Sequence, residues 1–453
     1  MVAKLAVLFL VFLLLASVQS QEISVQTVRE ALRRDLDYVR SLLSDDGKLS
    51  SGFDPSGSLR GQVLVGSMVA GIHAGLGDPE SLALLNKIAE KVNKRVESED
   101  GLDLGFDSEK MQELENFITH VLTADFLAMH YGFTKSLRSK ENMLRVADSL
   151  EQRLGWTPAW SKAAYLVRST RVAFISGSQP TAADIENALN EFSTHMMDIV
   201  SFSTKSFEGL TGSLSQLSLL LDAVERAGLT APTELTALWA VHVNYVIDGS
   251  KSISVSPENY PALLAAMTSL TYAAENRRFQ NSTLAAEQAV KLAEAVAAMW
   301  RSGGRILLLP VNVLDVYPLD PLVSAESMMD EIRSGRRPVM ADLRFPTLLL
   351  TLERSSGLTP ELKAVVSLAV GKVAVVDGFF PVLERGVIKS EEFVNRWWRV
   401  YLLSTYLAYQ REPAARQRNT AAEIFFNIHP SFLAFLSVLL ATALLHRAGL
   451  LRW

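Results

Sequence analysis

The feature that most constrains this chain is a helix-start signal that recurs along its length. Asp78-Pro79-Glu80, Thr157-Pro158, Ser256-Pro257-Glu258 and Thr359-Pro360-Glu361 share one grammar. The first residue can cap exposed backbone N–H groups, and proline at the first helical position loses nothing, because its N–H would be unpaired there. Glutamate next complements the positive end of the helix dipole. Thr181-Ala182-Ala183-Asp184 resembles a capping box with Asp in place of Glu. Gly155, Gly228, Gly249, Gly335 and Gly357 mark stops, where a left-handed residue closes a helix.

Between these marks the apolar spacing is helical. Val28, Leu32, Leu36, Val39 and Leu43 recur every three or four residues, as do Leu85, Ile88, Val92 and Val96. The pattern predicts helices over 25–44, 59–76, 79–97, 108–131, 136–154, 158–176, 182–204, 213–227, 232–248, 257–276, 282–302, 324–334, 339–355, 360–376 and 390–411. Short loops join them, so neighbours can pack antiparallel. Arg305 to Val313 is the exception and reads as a short extended crossing, with Pro310 limiting any ladder role. The chain could subdivide near 305–323.

One repeat favours a particular all-α architecture. Ser44-Asp45-Asp46-Gly47 precedes Gly52-Phe53-Asp54-Pro55-Ser56, and Ser98-Glu99-Asp100-Gly101 precedes Gly105-Phe106-Asp107-Ser108. The spacing is about one helical hairpin. Repeated hairpins point to an α/α superhelix or toroid rather than a simple bundle. The small residues Gly61, Gly66, Ala70, Gly71 and Ala74 suit close approach of two helices outside a membrane.

The two ends speak of location. Lys4, the apolar run Leu5 to Leu15 and the small residues before Gln21 read as a signal peptide over 1–20. Ile424 to Leu445 carries no charged side chain and is long enough to span a bilayer. The expectation is an extracytoplasmic domain over 21–423, a C-terminal transmembrane helix over 424–446 and a short cytoplasmic tail over 447–453. A permanent anchor and a processed sorting tail both fit this segment.

Composition then narrows the chemistry. The 453 residues carry 44 basic and 49 acidic side chains and no cysteine. A net charge of −5 speaks against nucleic acid as a partner. The absence of cysteine excludes disulfides, thiol nucleophiles and thiolate metal sites, and suits a prokaryotic envelope. The chain has no glycine-rich phosphate loop, Gly-x-Ser-x-Gly elbow or His-Glu-x-x-His pair. His73, His120, His130, His195 and His242 never fall three or four residues apart, so no helix offers two histidines to one metal. No cofactor is expected.

Three features keep a site in view. The loop with Glu97, Glu99, Asp100, Asp103, Asp107 and Glu109 is a solvated junction, a calcium site built on Asp100, Asp103 and Asp107, or a source of carboxylates for glycan cleavage. Trp156, Trp160, Trp397, Trp398, Tyr401, Tyr406 and Tyr409 offer either core bulk or faces on which sugars stack. Asn281-Ser282-Thr283 is a glycosylation acceptor pattern at Asn281, or simply a helix cap. The favoured function is a membrane-anchored extracytoplasmic helical protein of the cell surface that binds or scaffolds other envelope proteins or glycans. The rival is a polysaccharide-active envelope enzyme, a glycosidase or lyase, with carboxylates at one end of an α/α toroid. No catalytic residue stands out, and the first reading leans away from an enzyme.

Overall fold

The computed structural model describes residues 23–54, 58–98, 110–154, 161–175, 180–196, 200, 207–256, 259–276, 280–300, 308–310, 319–334, 339–341, 343–375 and 390–426. Fifteen helices lie among them: α1 (Val25–Ser41), α2 (Leu59–Leu76), α3 (Pro79–Glu97), α4 (Lys110–Thr134), α5 (Leu137–Leu154), α6 (Ser161–Ile175), α7 (Ala182–Thr194), α8 (Phe207–Arg226), α9 (Thr233–Lys251), α10 (Tyr260–Glu275), α11 (Ser282–Trp300), α12 (Ala325–Arg333), α13 (Arg344–Ser356), α14 (Pro360–Val375) and α15 (Glu391–Phe426). The extended crossing is a three-residue strand, β1 (Leu308–Pro310), paired antiparallel with β2 (Val339–Ala341). The helix expected from 339 therefore starts only at Arg344, because its first residues pair in a ladder. The chain forms two compact units, one to Leu407 and one from Ala408, and α15 runs through the boundary.

Local chemistry sets many helix ends. Asp78 accepts a hydrogen bond from the Ser81 N–H at 2.8 Å, so Pro79 opens α3 as its sequence asks. Ser24 and Ser58 cap α1 and α2 in the same way. Gly228 and Gly357 take φ of +69° and +76° at the ends of α8 and α13. Gly249 does not stop α9. The helix runs on to Lys251, since Ser250 is buried and its hydroxyl donates to the Ile247 carbonyl.

The first unit is built from hairpins in which helices two apart also touch. Among the described residues α2 packs on α4, α4 on α6, α6 on α8, α8 on α10 and α10 on α13. The helices between them pack as partners: α3 on α2, α5 on α4, α7 on α6, α9 on α8 and α11 on α10. α14 lies on α11 and α13 and also on α1. Most odd-numbered helices bury one stripe. In α1, Val28, Leu32, Leu36 and Val39 are at most 2% exposed. Burying each such side chain is worth about 1.5–3 kcal/mol. α2 instead buries residues on almost every face, including Val63, Leu64, Val65, Met68, Val69 and Ile72. Such a helix needs neighbours all round.

Its glycines show how closely those neighbours come. A Cβ on Gly66 would sit 2.5 Å from the Phe126 ring of α4. A Cβ on Gly71 would lie 2.9 Å from Val400, and one on Gly75 would meet Leu32 at 2.5 Å and the Ser404 backbone at 3.1 Å. The small-residue stripe thus brings α15 against α2, near the start of the chain. A buried carboxylate locks the same seam. Asp35 of α1 is fully buried, with Arg396 Nη1 at 2.9 Å from Oδ1 and Arg399 Nε at 2.8 Å from Oδ2. Arg399 Nη2 reaches Oδ1 as well, which makes the pair bidentate. Phe53 packs its ring 5.4 Å from Phe393 of α15.

Candidate functional site

Side chains of α4, α10 and α15 act on Arg168 of α6. Arg168 of α6 donates from Nε to Asp125 Oδ1 of α4 at 3.0 Å, and from Nη2 towards Met129 Sδ at 3.6 Å. Its side chain is 45% exposed and that of Asp125 is 34% exposed, so water reaches the pair. Yet the same guanidinium also feels Tyr272 of α10 and Tyr401 of α15. Arg168 is thus partly open to solvent, with Asp125 and, more weakly, Tyr272 and Tyr401 acting on its charge. The Asp125 charge raises the Arg168 pKa, so the guanidinium is permanently charged there. Among the described residues Nη1 of Arg168 has no hydrogen-bond partner.

The aromatic side chains of α15 continue the site. Trp397 stacks on Tyr401 with ring centroids 5.9 Å apart, and Trp398 meets Tyr401 edge-on at 5.9 Å. The helical spacings of three and four residues put all three rings on one face. Tyr401 is 41% exposed. Trp397 and Trp398 contact one another directly at 5.2 Å, although neighbouring residues on a helix normally diverge. The indole N–H of Trp397 is buried without a hydrogen-bond partner, an arrangement that costs about 1–3 kcal/mol.

One turn further along α6, the polar side chains become buried. Arg171 donates to Glu275 Oε2 at 3.1 Å and lies over the Tyr272 ring at 5.1 Å. Arg354 Nε approaches Glu275 Oε1 at 3.8 Å. Arg226 also acts on Glu275, while pairing with Asp222 and covering the Phe174 ring. Burial alone would raise the Glu275 pKa. The charges of Arg171 and Arg354 outweigh it and hold the carboxylate below its usual range. Arg171, Arg354 and Arg226 thus all act on the Glu275 carboxylate.

Other features anticipated from the sequence either lie elsewhere in the fold or fall outside the described residues. Asp100, Asp103 and Asp107 fall outside the described residues, as do Trp156 and Trp160. Asn281 sits just before α11 at φ +76°, and its amide donates to Asn244 Oδ1 at 3.1 Å. Ser282 beside it is buried and Thr283 is exposed. Four of the histidines serve local packing. His73 meets Ser81 Oγ at 2.9 Å, but Ser81 also bonds Asp78, so serine rather than histidine is central and no triad forms. His120 and His242 bond carbonyls one turn back. His130 lies between Ser139 and Asn86, at 2.8 and 2.9 Å, and burial lowers its pKa to about 4. Asp184, read as part of a capping box, accepts hydrogen bonds from Tyr131 and Lys140 as well. An open pocket of about 560 Å³ lies between α11 and the ends of α10 and α13, lined by Ala274, Ser282, Glu287, Lys291 and Ser355.

Arg168, Asp125, Tyr272 and the Glu275 cluster were not singled out from the sequence. Arg168 and Arg171 offered one signal, as two arginines three residues apart among Val167, Val172 and Ala173. No family model matches the chain, and comparison with curated proteins gives no match.

Proposed function

We propose that this chain is an envelope protein that binds glycans without cleaving them. In this reading its hairpins close an α/α toroid, and the surface at Arg168 is the binding site. The order of helix contacts supports the toroid. Alternate helices touch in series, and α14 and α15 return to α1 and α2. The carrying observation for binding is the partly exposed Asp125–Arg168 pair, on which Tyr401 acts electrostatically from within the Trp397, Trp398 and Tyr401 ring cluster. Aromatic faces stack on sugar C–H surfaces, and a charged pair meets hydroxyls at fixed positions. A glycosidase instead needs a carboxylic acid whose pKa is raised. Glu275 is held the other way, which disfavours the enzyme at this place.

The location belongs to the same proposal. The signal peptide over 1–20 exports the domain and the apolar segment over 424–446 holds it in the membrane. Residues 427–453 lie outside the described part, and among the described residues no helix is long and apolar enough to cross a membrane. A reporter fused after Trp453 should signal cytoplasm, and one inserted within residues 412–420 should signal the exterior. Reversed signals would defeat the orientation. For function, the purified full-length chain should retain oligosaccharides on a glycan array and leave them intact by mass spectrometry. Cleaved products would favour the enzyme, and no retained glycan would remove the binding reading.

A further inference from the structure

We infer that the open pocket between α11 and the ends of α10 and α13 binds a small zwitterion with an apolar body, of which the free apolar α-amino acids are the simplest. The pocket is separate from the Arg168 site, and the inference does not rest on the glycan-binding reading. Its volume of about 560 Å³ falls in the range of small-ligand sites. Three observations carry the inference. The first is a hydroxyl. Ser282, at the start of α11, is 4% exposed and lines the pocket, yet among the described residues its hydroxyl has no hydrogen-bond partner. Ser355 and Ser356 also line the pocket, but their hydroxyls are committed, the first donating to the Leu352 carbonyl at 3.1 Å and the second to the same oxygen. A buried hydroxyl without a protein partner calls for one in the pocket it lines. The second observation is a divided ion pair. Glu287 and Lys291 line the pocket one turn apart, with Glu first, the order that favours pairing along a helix. Glu90 and Lys94 in α3 have the same spacing and pair at 2.6 Å. Glu287 and Lys291 form no ion pair among the described residues, which leaves an anion for a ligand's ammonium and a cation for its carboxylate. α10 and α13 both end at this pocket, and the negative ends of their dipoles favour the ammonium. The third observation is apolar. Ala274, Ala286 and Val290 also line the pocket and suit an aliphatic or aromatic side chain. A plain anion or cation would meet only one of the two charges.

Three forms of one molecule test this. Phenylalanine carries both charges, phenylalaninamide lacks the carboxylate, and N-acetylphenylalanine lacks the ammonium. Isothermal titration of the full-length chain in detergent should show phenylalanine binding about tenfold more tightly than either derivative. Glu287→Gln should abolish the preference over N-acetylphenylalanine and keep that over the amide. Lys291→Gln should do the reverse. Val290→Trp, which fills the pocket, should abolish binding of all three. An unchanged melting temperature for each variant assigns the losses to the pocket. No phenylalanine binding at concentrations up to about 10 mM, or equal affinity for the three forms, would overturn the inference. Gln variants that weaken all three forms alike, or binding that survives Val290→Trp, would overturn it as well. None of these results bears on the glycan reading, whose site lies at Arg168.

Discussion

Two aspartate–arginine pairs hold similar chemistry in opposite settings. Asp35 is fully buried, and Arg396 and Arg399 satisfy both its oxygens across the seam between α1 and α15. Asp125 is one-third exposed and takes one hydrogen bond from Arg168. Around Asp35 every neighbour is committed: Arg396 also covers the Tyr38 ring at 4.5 Å and pairs with Glu392. Around Asp125 one guanidinium nitrogen still faces water. The difference teaches that burial decides what such a pair does. A desolvated, bidentate pair fixes the register of two helices, because breaking it strands a charge away from water. A hydrated pair adds little to stability and stays available to a ligand.

The largest effect should therefore follow removal of the buried carboxylate. Asp35→Ala leaves two arginines facing the seam and should cost about 3–5 kcal/mol, read as a lower urea midpoint. A cost below about 1 kcal/mol would mean that the seam does not depend on this pair.

A second effect comes from pH. His130 accepts its proton near 4 in the native state, against about 6.5 when unfolded. The unfolded chain thus binds more protons between these values, and stability falls as pH drops from about 6.5 to 4. The full loss should approach about 3 kcal/mol, and His130→Gln should flatten that part of the profile.

Packing at the seam gives a smaller cost. Gly75→Ala must push Leu32 aside and press on the Ser404 backbone, and should cost about 1–3 kcal/mol. The smallest effect belongs to the exposed pair. Asp125→Asn should change stability by less than about 1 kcal/mol, measured by the same urea titration. A loss as large as that of Asp35→Ala would erase the distinction between the two pairs.

Much of the fold was legible because helix signals are local. Asp78 caps α3 and Pro360 opens α14 where the sequence puts them, although the Thr359 hydroxyl makes no capping bond. The small residues of α2 announced a close approach, although not that α15 would be the partner. Gly249 misled because its neighbour Ser250 satisfies the backbone and the helix continues. The site was legible only in part. The sequence brought Trp397, Trp398 and Tyr401 forward, since they share one helix. Arg168 and Asp125 are 43 residues apart, and Tyr272 is 104 residues from Arg168, on a third helix. No local period links them. They meet only once the hairpins are stacked.

The account depends most on α15 returning to α2, because that contact closes the series of helices proposed as a toroid. A chain without cysteine allows a direct test. Gly71→Cys with Val400→Cys puts two thiols where a Cβ on Gly71 would lie 2.9 Å from a Val400 methyl group, close enough for a disulfide. Mild oxidation of this double variant should form the crosslink nearly to completion, seen as faster migration on a non-reducing gel and reversed by reductant. Two thiols that stay free under oxidation, counted after denaturation, would show that α15 does not close on α2 and would contradict the account.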